Sequence, residues 1–110
     1  MLADLLNTPE SPLDWQVWSH AHMIEHNNLI AKIAALNGPQ LIQYQLDPIR
    51  LDFPADFFER NQHAHTDVNS VLNLNSSDLQ DVDIKDQQQL IAWIKIHAQE
   101  HYDMNAKLGL

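Results

Sequence analysis

Residues 57–74 (FFERNQHAHTDVNSVLNL) align with residues 93–110 (WIKIHAQEHYDMNAKLGL) at an offset of 36, and both segments end in His-x-Asp-x-Asn-x-x-Leu-x-Leu. The same window fits an earlier segment at an offset of 75. That fit pairs Trp18, His22, Glu25, His26, Ala31 and Lys32 with Trp93, His97, Glu100, His101, Ala106 and Lys107. A pattern met three times implies three related helices. Turned at about 100° per residue, Trp93, His97, Glu100, His101, Met104 and Leu108 fall on one stripe. The matching stripes are Trp18, His22, Glu25, His26, Leu29 and Ile33, then Phe57, Asn61, Ala64, His65, Val68 and Leu72. Each begins aromatic, turns polar and finishes aliphatic, so facing stripes would enclose a polar layer with His22, His26, His65, His97 and His101 beside an apolar end.

Start and stop signals divide the chain accordingly. Ser11-Pro12 with Asp14 opens a helix expected to run over 11–36, and Asn37-Gly38-Pro39 stops it. A second helix is expected over 54–71 after Pro54. The polar run 73–83 reads as a loop, and a third helix over 86–107 ends as Gly109 arrives. The expectation is an all-α single domain over 1–110, a small antiparallel bundle of three long helices, with room for a fourth short segment near 40–47. The scarcity of glycine, two in 110 residues, argues against tight β-turns and supports the same class.

Charge and composition narrow the function. Six Lys+Arg against fifteen Asp+Glu give a net charge of -9, which repels phosphate backbones and anionic lipid, so direct nucleic-acid or membrane binding is not expected. With no cysteine there is no disulfide, zinc ribbon or thiol nucleophile. No basic residue precedes an apolar stretch at the N-terminus and no segment approaches a membrane span, so an unexported chain is expected. No Ser/His/Asp arrangement or glycine-rich phosphate loop is recoverable, and no enzymatic activity is expected.

The histidines carry the chemistry. Pairs four apart, His22/His26 and His97/His101, point the same way on a helix and can offer two imidazoles each to one divalent cation. Glu25 and Glu100 lie on the same sides, and His65 adds a further nitrogen. Such a set suits Zn, Fe, Ni or Mn. The same residue types, with Asn61, Asn69, Asn105, Asp67 and Asp103, would equally serve a hydrogen-bonded layer that fixes helix register. Both readings stand on the sequence. The strings His22-Met-Ile-Glu-His26 and His97-Ala-Gln-Glu-His101 match the His-x-x-Glu-His pattern of inverted zinc metallopeptidases, but those need a further ligand and a cleft on a larger scaffold. Ferritin-like sites use Glu-x-x-His, which the spacing here does not supply. Asp78, Asp81, Asp83 and Asp86 resemble a calcium loop in charge alone and read as solvated, helix-capping residues. Trp18 and Trp93 read as core. Trp15, off the repeat, joins Val17 and Ile24 as the expected interface face, while His20 and His63 fall outside the stripes and read as solvated.

The ordered set Trp-x-x-x-His-x-x-Glu-His, Leu46-Asp47-Pro48-Ile49, His65-x-Asp-x-Asn-x-x-Leu, Asp78-Leu79-x-Asp81-Val82-Asp83, then Trp93 to Leu110, resembles small uncharacterised proteins encoded among the structural genes of tailed bacteriophages. The resemblance spans Trp15 to Leu110 and implies no catalytic residue. It implies a non-enzymatic virion-associated or assembly protein, in the virion or the host cytoplasm, docking as partner or homo-oligomer on capsid, neck or tail components. The alternative from the residues themselves is a divalent-metal-binding, histidine-rich bundle.

Overall fold

Ser11 starts the first long helix as its composition requires: its backbone is extended, its Oγ accepts from the Asp14 amide, and Pro12 occupies the first helical position. In the computed structural model, which describes residues 2–36, 57–75 and 85–110 together with Gly38 and Asp83, a short 3-10 helix (Leu2–Leu6) precedes α1 (Pro12–Ala35), α2 (Phe57–Leu72) and α3 (Gln87–Leu108). The described residues contain no strand, and the fold is all-α. No described helix is long and apolar enough to cross a membrane. The helix ends expected at 11, 36, 71, 86 and 107 lie within one residue of those described. Residues 54–56 and the expected fourth segment near 40–47 lie outside the described residues.

The capping chemistry is that of the sequence. Asp86 accepts from the amides of Gln88 and Gln89 at the start of α3, and Gly109 closes it in the left-handed region at φ 73°. Asn73 takes the same role after α2 at φ 57°. The Leu74 amide donates to the Asn69 carbonyl and the Leu110 amide to the Asn105 carbonyl, both at 2.9 Å, so the repeat extends to the caps. At Gly38 the requirement is space: its amide donates to the Ile33 carbonyl at 2.9 Å, and an added Cβ would stand 2.6 Å from Ile33 Cγ2.

Helix direction corrects the sequence reading. Trp18 packs on Trp93 (ring centroids 5.7 Å), His22 on His97 (4.6 Å) and His26 on His101 (4.8 Å). Along α2 and α3, Phe57 meets Trp93 (6.2 Å) and His65 meets His101 (4.8 Å). Residue numbers rise together along each pair, so the three helices are parallel, not antiparallel. The repeat demands it. An antiparallel neighbour would set an aromatic end against an aliphatic one, whereas parallel helices bring like against like. Parallel neighbours need long connections, and residues 36–56 and 73–86 supply them. Even the shorter, at roughly 3.3 Å per extended residue, outreaches the sixteen-residue α2 at about 1.5 Å per residue.

The result is a bundle in layers. Trp18, Phe57 and Trp93 form the aromatic layer, joined by Leu5, Trp15, Ala21, Phe58, Leu90 and Ile94. Leu29, Val68 and Met104, then Ile33, Leu72 and Leu108, form the aliphatic end. Between the two lies the polar layer. The 3-10 helix, which the sequence did not signal, brings the fully buried Leu5 against the aromatic layer, where Trp18 Nε1 donates to the Leu5 carbonyl at 3.4 Å.

Candidate metal centre

Every residue of the three stripes is buried, including all the polar ones. Each helix contributes at the same two levels. The upper level holds His22, Asn61 and His97, and the lower holds His26, His65 and His101. Glu25, Ala64 and Glu100 sit one residue before the lower histidines. The five imidazoles are fully buried, and one ring nitrogen from each lies within 4.8 Å of all the others. His22 Nε2 and His97 Nε2 stand 3.0 Å apart, and His26 Nε2 and His65 Nε2 stand 3.2 Å apart.

Those distances can be set against coordination chemistry. Ligand nitrogens about 2.0–2.1 Å from one ion are about 3 Å apart when adjacent and about 4.2 Å apart when opposite. The two measured pairs match the adjacent spacing, and the full set needs to contract by roughly half an ångström to enclose one ion.

Outer residues orient the rings. Glu100 Oε1 accepts from His65 Nδ1 at 3.0 Å and from Asn69 Nδ2 at 3.0 Å. A carboxylate only accepts, so this contact places the His65 proton on Nδ1 and leaves its Nε2 lone pair facing the cluster. Glu25 repeats the arrangement: it lies 3.6 Å from His101 Nδ1 and accepts a hydrogen bond from Asn105, which also donates to the His101 carbonyl at 2.7 Å. In each case a His and an Asn four residues apart on one helix clamp a Glu from a neighbouring helix. The third such position pairs Ala64 with His26 and Ile30, which are buried without a carboxylate.

Hydrogen bonding leaves much of the layer unsatisfied. The Nδ1 atoms of His22, His26, His97 and His101, together with His101 Nε2 and Asn61 Nδ2, are buried without a hydrogen-bond partner. Each such atom costs about 1–3 kcal/mol of desolvation, and a network left part-satisfied is less stable than an apolar one. Burial holds His22, His26, His97 and His101 well below the ordinary imidazole range, and the neighbouring imidazoles push them further the same way. The rings are therefore neutral, which is the ligating form. Two carboxylates are buried with them, and no Lys or Arg is among the buried described residues. Five imidazoles with two carboxylates beside them make a site whose donor type matches a divalent transition metal rather than Mg or Ca.

Aromatic rings close the upper side. Trp93 stacks on His97 at 4.6 Å and Trp18 on His22 at 4.8 Å. No protein-family model matches the chain, and no curated protein or solved structure matches it.

The structure brings together all seven residues singled out as metal ligands: His22, Glu25, His26, His65, His97, Glu100 and His101. Glu25 and Glu100 orient histidines rather than lying in the ring of nitrogens. The interface face is only partly as expected. Trp15 is buried at 7 % exposure, edge-on to Trp18 and Phe57, so it belongs to the core and not to an exposed anchor. It shares its cluster with Phe57 and Phe58 at the start of α2 and with Leu5 of the 3-10 helix, an element that the repeat does not contain. Val17 is exposed at 61 % and Ile24 is half-buried. His20 and His63 are exposed, as expected. Asp86 caps α3 and Asp83 Oδ1 accepts from the Lys85 amide, while Asp78 and Asp81 lie outside the described residues.

Proposed function

We propose that this chain is a divalent-metal-binding helical protein whose five-histidine layer holds one transition-metal ion, of the group Zn, Fe, Ni or Mn. The observation that supports this best is the convergence of five fully buried imidazoles, one ring nitrogen of each lying within 4.8 Å of all the others. A cation at the point of convergence takes the inward lone pairs, including that of His101 Nε2, which has no hydrogen-bond partner, and offsets Glu25 and Glu100 together. His26, His65 and His101 supply one nitrogen from each helix, and His22 and His97 supply two more above them.

Native mass spectrometry of the untagged protein, purified without chelator, tests the proposal. One divalent ion per chain is expected, with stability falling on chelation. At a free metal concentration a hundredfold above Kd, bound ion contributes about 3 kcal/mol of stability. Loading with Cu(II) or Ni(II) should also quench Trp18 and Trp93, which stack on His22 and His97. A metal-free chain whose melting is unchanged by any of these ions would refute the assignment.

The phage resemblance supports a second, compatible reading: a virion-associated component that docks on a larger protein assembly. The supporting surface is Leu13 and Val17, exposed four residues apart on α1 with Ile24 further along the same face. In this reading Leu13 takes the place expected of Trp15. Val17→Glu should abolish co-sedimentation with assembled particles while leaving the helical spectrum intact; retention on particles would remove the face from consideration.

A further inference from the structure

The three helices offer six equivalent places around the centre, two on each, and five are histidine. The sixth is Asn61, at the level of His22 and His97. Its side chain is fully buried within the cluster: Oδ1 lies 3.2 Å from His97 Nε2, and Nδ2 has no hydrogen-bond partner. Asn is shorter than His and a poor ligand to a nitrogen-bound transition metal, so α2 delivers one ligand where α1 and α3 deliver two. The next polar position repeats the economy, with Ala64 where the other helices carry Glu25 and Glu100.

Resting on the metal-centre reading above, we propose that Asn61 marks an open coordination position, at which the bound ion takes a small monodentate oxygen- or nitrogen-donor ligand such as water, hydroxide or azide. The Asn61 Nδ2 group donates a hydrogen bond to that ligand. One otherwise unsatisfied buried donor thereby gains its acceptor, and five protein nitrogens leave one place of a six-coordinate ion for exchange. The bond formed is a metal–ligand bond to the incoming donor, displacing water, with no change of oxidation state. Because Asn61 is fully buried, the position favours small ligands.

Azide titration of the Co(II)-loaded protein, followed by the d–d spectrum, reads this directly. In the natural sequence azide should shift the spectrum with a single saturating midpoint. Asn61→His should retain Co(II) and lose the azide response, or weaken it at least tenfold, because a sixth imidazole closes the position. Asn61→Leu keeps the position open but removes the donor, and should weaken azide about tenfold, the worth of one hydrogen bond. Co(II) bound by the natural sequence with a spectrum azide does not move would overturn the open position and leave the metal centre standing. An Asn61→His protein with the natural midpoint would do the same. If Asn61→His does not fold, Asn61→Leu decides, and an unchanged midpoint overturns the role of Nδ2. Failure of the natural sequence to bind Co(II) at all would remove the metal centre and this inference with it.

Discussion

Acid should unfold the metal-free bundle over a narrow range, and the size of the effect follows from four side chains. His22, His26, His97 and His101 are held well below their ordinary value of 6.5, first by burial and then by one another. In the unfolded chain the same groups titrate near 6.5, so below that pH the unfolded state binds more protons and stability falls as pH falls. Each group approaches about 1.4 kcal/mol per pH unit. Moving from pH 7.5 to 5.5 spans the unfolded value, so each costs roughly that amount and the four together about 5 kcal/mol. A domain of this size has about 5–15 kcal/mol in all, and the loss continues until pH reaches the depressed folded values. The window lies above the reference range of carboxylates, about 4, and spans that of imidazole. Urea titrations in EDTA at pH 7.5, 6.5 and 5.5, followed by circular dichroism, give the slope. More than three protons should be taken up on unfolding near pH 5.5. An uptake of one proton or fewer would show that the rings are not buried neutral and would refute the argument.

Other outcomes can be checked by simpler means. Glu100→Gln keeps the shape but weakens the acceptor for His65 Nδ1, and should lower metal affinity 10–100-fold in a competition titration with little change in metal-free stability. Trp15→Ala should cost about 3–5 kcal/mol in denaturant unfolding, because the ring fills the aromatic layer; a loss below about 1 kcal/mol would return Trp15 to the surface. Asn73→Gly should raise stability by roughly 0.5–1 kcal/mol, since the position is left-handed and its counterpart on α3 is already Gly109. Gly38→Ala should lower the melting temperature, because its Cβ meets Ile33 at 2.6 Å and the contact includes backbone.

The local grammar of this fold was open to reading. Ser11-Pro12, Asp86 and Gly109 placed helix ends because capping is a matter of neighbouring residues, and the stripes placed each buried side chain because helical pitch is fixed. The seven candidate ligands came from that pitch alone. Helix direction is a relation between distant segments, and the habit of bundles to alternate pointed the wrong way. The signal against it was present: all three stripes run aromatic, polar, aliphatic in the same sense. Trp15 was misplaced because two of its walls come from Leu5 and Phe57, neither related to it by periodicity. The clamps made by Asn69 and Asn105 needed three dimensions, since each joins residues more than thirty positions apart.

Parallel packing also fixes the electrostatics of the whole rod, which measures 41 × 24 × 23 Å. In an alternating bundle the helix macrodipoles cancel in pairs; here all three add. At about half a charge per terminus, the aromatic end carries roughly one and a half positive charges and the aliphatic end the same negative. The sequence offsets this at both poles, with Asp14 and Glu59 in first turns, Asp86 as a cap, and Lys32 and Lys107 in last turns. α2 alone has no basic residue in its last turn. The molecule therefore has a head and a tail, and two copies brought together along their axis attract when stacked head to tail and repel when like ends meet.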